Sequence, residues 1–84
     1  MLTIQYFASI REALNRSDEE LELPVDVNSV QALIDYLLSS NPHFEAVFND
    51  SKKVLVAVNQ TVVDRSHPLS EDDEVAFFPP MTGG

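Results

Sequence analysis

Val30, Leu33, Ile34, Leu37 and Leu38 recur at i, i+3, i+4, i+7 and i+8. That spacing lays all five on one continuous stripe of a single helix, and the stripe belongs to a core. Asn28 with Gln31 supplies the start signal for this helix. The flanking segments follow a different period. In LTIQYFA (Leu2–Ala8), Leu2, Ile4 and Tyr6 point one way and Thr3, Gln5 and Phe7 the other, as in a strand with one buried face. A helix with one apolar stripe beside segments of period two predicts a helix packed on a sheet.

The remaining elements follow from local signals. Ser9 and Glu12 have the spacing of a capping box, and Ile10, Ala13 and Leu14 share a face, so SIRE opens a short helix. ELEL (Glu20–Leu23) alternates and stops at Pro24, which predicts a second strand. Asn41-Pro42 caps and opens another short helix with Phe44, Val47 and Phe48 on its apolar side. Val54–Val58 reads as a third strand. Asn59-Gln60 reads as a tight turn, because asparagine tolerates positive φ, and Thr61–Val63 as the returning strand. His67-Pro68 marks an irregular link. Glu74–Phe78 is the last strand, ended by Pro79-Pro80. The expected fold class is α+β: one main helix on one face of a mixed sheet, with short helices added. Residues 1–80 form one domain, and residues 81–84 an extended tail.

Composition excludes several functions. The chain has no cysteine, so it has no disulfide framework, thiolate metal site or cysteine nucleophile. His43 and His67 lack metal-ligand spacing, so no metal site is expected. The net charge of −9, with acidic runs at Asp18–Glu22 and Ser70–Glu74, repels nucleic acid, anionic lipid and phosphate-bearing molecules. It favours a basic protein partner. The longest apolar runs fall far short of the ~20 residues of a membrane span. MLTIQYF lacks a basic segment and a signal-type apolar block, so the expected location is the cytoplasm.

The chain ends FFPPMTGG, and Gly83 and Gly84 are its only glycines. Pro79-Pro80 favours an extended exit from the sheet. Met81–Gly84 then reach at most ~14 Å. Two residues without Cβ can thread a narrow channel and deliver an unhindered carboxylate. A frayed stub is the other reading of such an end. A carboxylate is a poor electrophile and needs activation, most simply adenylation. With no phosphate-binding loop and the wrong charge, this chain would rely on an external enzyme for it. Phe77 and Phe78, adjacent in a strand, point to opposite faces. With a single helix layer, one sheet face lacks cover. Phe7, Val62 and Phe78 are therefore candidates for an apolar, partner-facing patch.

These residues resemble a known family. The acidic surface and terminal Gly-Gly are similar to the ubiquitin-like β-grasp sulfur carriers. VAVNQTVVD…HPLSEDDEVAFFPPMTGG (Val56–Gly84) and YFASIRE (Tyr6–Glu12) resemble the small subunits of molybdopterin synthases. The resemblance implies a β-grasp fold with a five-stranded mixed sheet, and a non-catalytic sulfur donor whose active site lies on the large subunit. It implies that an ATP-dependent adenylyltransferase of the ubiquitin-activating type adenylates Gly84, and that a persulfide donor converts it to a thiocarboxylate. The large subunit then transfers the sulfur to a cyclic pyranopterin monophosphate, two per molecule, in molybdenum cofactor biosynthesis. Two small and two large subunits are implied. ATP would be used by the activating enzyme, and no cofactor would be held by this chain.

By the same resemblance Phe78 faces outward and Phe77 the core. Gly83 gives clearance beside Gly84, and Pro80, Met81 and Thr82 line the inserted tail. Arg11 matches the family's arginine in the first turn, implying contact with the activating enzyme or the synthase. A solvated helix residue is the other reading of Arg11. Carriage of sulfur for thiamine thiazole formation or tRNA thiolation, and a role as a protein modifier, remain the alternatives.

Overall fold

The long helix starts one residue later than the Asn28 signal. Ser29 is the cap: its backbone is extended (φ −151°, ψ 166°) and its side chain accepts the Ala32 amide at 3.1 Å. From there α2 runs Val30–Ser40. Val30, Leu33, Ile34 and Leu37 of the stripe are buried, and Leu38 is half-buried at its border. Asn41 does cap, but it caps the end of α2, where both its backbone and side-chain nitrogens donate to the Leu37 carbonyl. Pro42–Phe44 then makes one 3₁₀ turn and α3 spans Glu45–Phe48, which together bury Phe44 and Phe48.

A computed structural model describes residues 1–49 and 53–80 of the chain. Five strands form one sheet: β1 (Leu2–Tyr6), β2 (Asp18–Leu21), β3 (Leu55–Val58), β4 (Thr61–Val63) and β5 (Glu74–Phe78). Their order is β2-β1-β5-β3-β4, parallel between β1 and β5 and antiparallel elsewhere. The expected mixed sheet with one main helix is therefore present. β2 lies two residues earlier than the expected Glu20–Leu23. Its register is set by pairing Leu2 with Leu21 and Ile4 with Glu19, and Leu23 packs on the core from outside the ladder. Val54 is buried but precedes β3.

The capping box at Ser9 and Glu12 is not formed. Helix α1 starts at Ala8 and runs to Leu14, with Phe7 in the cap position and no side-chain cap. Ala8 takes a positive φ of 50°, so the chain leaves β1 in one sharp step and Ser9 already lies inside the first turn. Ile10 and Leu14 are buried, while Ala13 is exposed. The hairpin turn is as expected: Asn59 and Gln60 both have positive φ (51° and 71°), the backbone an inward-twisting two-residue turn needs.

The core is an aromatic stack under α2. Tyr6 and Phe77 stack at 5.9 Å between ring centroids, and Phe48 meets Phe77 edge-on at 5.0 Å. Tyr6 also carries a polar tip. Its hydroxyl donates to Glu19 Oε2 at 2.8 Å, and Arg16 reaches the same oxygen at 2.9 Å. The other Arg16 amino nitrogen donates to Asn41 Oδ1 at 2.9 Å, and its guanidinium lies 5.1 Å above the Phe44 ring. One arginine thus ties β2 to the C-terminal end of α2.

Burial, then the hydrogen bond and charge of Glu19, push the Tyr6 phenol far up from its ordinary value. An unfolded tyrosine releases its proton near pH ~10, while the folded one retains it. The folded state therefore binds more protons above that pH, and this contribution to stability is lost as pH rises. Tyr6→Phe is expected to flatten the alkaline limb of urea midpoint against pH. Ser29→Ala is expected to cost about 1 kcal/mol in the same urea titrations and Asn28→Ala much less, since Ser29 holds the cap.

Candidate functional site: the open sheet face and the root of the tail

The sheet carries α2 on one face only, and strand alternation decides what the other face shows. In β5 the odd positions Val75 and Phe77 are buried, so Ala76 and Phe78 point away from the helix. Register extends the pattern sideways. Phe78 pairs with Leu55, Ala76 pairs with both Ala57 and Gln5, and Ala57 pairs with Val62. Phe7 follows β1 directly, and its amide donates to the Phe77 carbonyl at 3.0 Å, which sets it beside Phe78. The open face is therefore an apolar strip from Phe7 through Phe78 and Leu55 to Val62.

Exposure along this strip is high for such side chains. Phe7 is 45% and Val62 64% exposed, while Phe78 is half-buried. Ala57 and Ala76 keep the middle of the strip low, so the two ends stand out as raised rims. Phe7, Val62 and Phe78, singled out from sequence, share this face, and Phe77 sits in the core. Leu55, Ala57 and Ala76 were missed in the sequence, although the same period-two alternation places them there.

The tail leaves from this strip. Pro79 and Pro80 are half-buried at the end of β5. β5 lies at the centre of the sheet, paired on both sides, so the exit point is held rigidly. Arg11 is exposed on α1, next to the same end of the sheet, and among the described residues it makes no ion pair. Met81, Thr82, Gly83 and Gly84 lie outside the described residues.

Other possible chemistry is weak. Among the described residues, no group of three or more His, Asp or Glu could hold a metal ion. His43 sits edge-on to Phe44 at 4.8 Å, within the 3₁₀ turn. Among the described residues no helix is long and apolar enough to cross a membrane. The acidic run near residue 70 is a turn that binds itself: Asp73 accepts the Ser70 amide at 2.8 Å and the Asn59 side chain at 2.9 Å.

A five-stranded mixed sheet grasping one long helix, with a tail issuing from the central strand, defines a ubiquitin-like β-grasp protein. The solved structures agree. The crystal structure of SAMP1 from Haloferax volcanii superposes with a TM-score of 0.77 at 26% identity, covering 99% of this chain and 98% of that one. The chain belongs to the ThiS family, which it matches over residues 4–84. It is 39% identical to the molybdopterin synthase sulfur carrier subunit of Escherichia coli over 84 residues, all of both chains. It is 33% identical to the protein of that name from Haemophilus influenzae, again over the full length of both.

An exposed strip that serves a partner should contribute little to folding. Phe7→Ser and Val62→Ser are expected to change the unfolding free energy by no more than about 0.5 kcal/mol each. Phe77→Ala, one residue from the strip but in the core, is expected to lose about 3–5 kcal/mol. Urea titration of the three variants measures both.

Proposed function

We propose that this chain is the sulfur-carrier subunit of a molybdopterin synthase. The observation that carries the reading is the end-to-end match to the Escherichia coli subunit of that name, with both chains covered completely. The open apolar strip beside the tail root supports it, since a carrier must dock while its end reaches into another protein.

In this reading the reactive group is the Gly84 carboxylate. An adenylyltransferase of the ubiquitin-activating type joins it to AMP from ATP and releases pyrophosphate. The outer sulfur of a persulfide attacks the acyl carbon and AMP leaves. A thiol then cleaves the resulting acyl disulfide, leaving a thiocarboxylate on Gly84. In the synthase, the sulfur passes to the cyclic pyranopterin monophosphate on the large subunit, and water restores the carboxylate. Two such deliveries supply both dithiolene sulfurs.

The body of the chain serves this by docking and delivery. Phe7, Phe78 and Val62 bury themselves against the large subunit. Arg11, at the same end of the sheet, adds a charged contact with the synthase or the activating enzyme. Pro80, Met81 and Thr82 line the inserted tail, and Gly83 lets the channel walls close on the backbone. The net charge of −9 disfavours holding the anionic pterin on this chain, so a basic pocket on the partner takes it.

Incubation with activating enzyme, ATP and a persulfide donor is expected to raise the intact mass by one oxygen-to-sulfur exchange. Deletion of Gly84 is expected to abolish the rise, and a rise that survives the deletion refutes the assignment. Phe78→Asp is expected to weaken binding to the large subunit at least tenfold, about 1.4 kcal/mol, while leaving the adenylated mass obtainable. Recovery of the chain on lysines of other proteins, in place of the thiocarboxylate, would favour a modifier instead.

A further inference from the structure

The open strip accounts for Phe7 and Val62 among the large apolar side chains left exposed. Val25 and Tyr36 are exposed as well, on the other side of the molecule. α2 turns Val30, Leu33, Ile34 and Leu37 toward the sheet, and at ~3.6 residues per turn this points Asp35, Tyr36 and Ser39 away from it. Between this outer face of α2 and the turn that leads into it lies a groove of about 340 Å³, lined by Asp26, Val27, Ala32, Asp35, Tyr36 and Ser39. None of these residues belongs to the docking strip.

Folding does not explain the two exposed residues. Pro24–Val27 is a turn closed by the Val27 amide on the Pro24 carbonyl at 2.9 Å, and it buries Val27. Val25 is its second residue and is fully exposed, so a branched apolar side chain there brings neither burial nor a turn-forming hydrogen bond. The Tyr36 ring is 39% exposed. Ser39 does not reach across to it, because its hydroxyl donates back to the Tyr36 carbonyl at 2.7 Å.

The charge of the groove selects its partner. Its walls carry the exposed carboxylates of Asp26 and Asp35, and among the described residues no basic side chain lines it. Its floor is apolar, formed by buried Val27 and half-buried Ala32. Carboxylates, an open aromatic ring and an apolar floor together suit an arginine. Its plane stacks on an aromatic ring, its fork matches a carboxylate, and its methylene stem covers apolar surface. A lysine ammonium has the charge without the plane. The field of a −9 protein draws such a cation in from a distance.

We propose that this groove docks a basic segment of a partner protein, with an arginine laid on the Tyr36 ring between Asp26 and Asp35 and an apolar neighbour of that arginine covering Val25. Because α2 separates the groove from the open sheet face, a protein held here and a protein held on the strip do not compete for surface. The proposal goes beyond the function above and does not rest on sulfur chemistry. A negative result here leaves the mass-shift experiment unaffected.

The test follows the backbone amide NMR signals of the full chain during titration with a short peptide of alternating arginine and leucine, in about 0.15 M salt to screen distant charges. Saturable shifts centred on Val27, Ala32, Asp35, Tyr36 and Ser39 are expected. The same peptide with citrulline for arginine, which keeps the plane and loses the charge, is expected to produce none there. Tyr36→Ala is expected to weaken binding about two- to fivefold, and the double variant Asp26→Asn, Asp35→Asn at least about tenfold. Shifts spread evenly over the acidic runs Asp18–Glu22 and Ser70–Glu74 overturn the proposal, as do shifts confined to the Phe7–Phe78 strip or no shifts at all. Shifts at the groove when the chain alone is diluted also overturn it, by assigning the groove to a second copy. The three substituted side chains are exposed, so the variants are expected to fold. The comparison of arginine with citrulline uses the parent chain and decides the matter even if a variant unfolds.

Discussion

The packing of β5 is the constraint on which the rest of the molecule depends. It is the strand that pairs parallel to β1 on one side and antiparallel to β3 on the other, so it closes the sheet. Its Phe77 fills the centre of the aromatic stack, touching Tyr6 and Phe48. Once Phe77 is fixed inward, pleating leaves Phe78 no choice but the open face. The position of the open apolar strip and of the end of β5 follows from that one inward aromatic. A slip of one residue would exchange Phe77 for Phe78 and turn the core side chains outward.

The sequence reveals the fold well because its two periods conflict nowhere. The stripe from Val30 to Leu38 allows only a helix, and the alternation in Leu2–Tyr6 and Glu74–Phe78 only strands. Boundaries were less legible, for identifiable reasons. Asn28 and Ser29 are both good caps, and only tertiary contact chooses between them. The Val30 amide donates to the His67 carbonyl, and Leu69 to that of Asn28, so residue 28 is held by the loop and the cap falls to Ser29. The Ser9–Glu12 pattern fits a capping box, but Phe7 N–H is claimed by Phe77, which forces the helix to begin at once. β2 starts early because Glu19, a residue no apolar pattern would mark, pairs with Ile4 and accepts the Tyr6 hydroxyl. On the site, alternation marked Phe7 and Phe78. The alanines between the rims follow the same alternation, but their small size becomes informative only once their cross-strand neighbours are known.

Charge divides the molecule's few cations by role. The chain has five basic residues against fourteen acidic ones. Arg16 is spent on structure, holding Glu19 and Asn41 while lying over Phe44. Arg65 donates to the Phe48 carbonyl through Nη1, and among the described residues its Nη2 has no partner. Arg11 makes no ion pair among the described residues, and it lies on α1 at the end of the sheet where β5 stops. The open strip of Phe7, Phe78, Leu55 and Val62 carries no carboxylate, so covering it requires little desolvation of charge.

The distribution of glycine supports the same reading of the tail. The domain does not lack positions where glycine would be useful: Ala8, Asn15, Asn59 and Gln60 all adopt positive φ. An ordinary residue in that region costs about 1–2 kcal/mol, and glycine would remove most of it. At the hairpin turn, side-chain bonds of Asn59 offset part of that cost. Asn59 Oδ1 accepts the Glu74 amide at 3.0 Å, and Asn59 Nδ2 donates to Asp73, so the hairpin turn is pinned to β5. The hairpin so pinned is rigid, since glycine there would have widened the unfolded and alternative conformations. Glycine's freedom is then concentrated in the last two residues, beyond the rigid exit of Pro79-Pro80. The sequence thus sets its two residues without Cβ apart from a body whose hairpin is pinned by side chains.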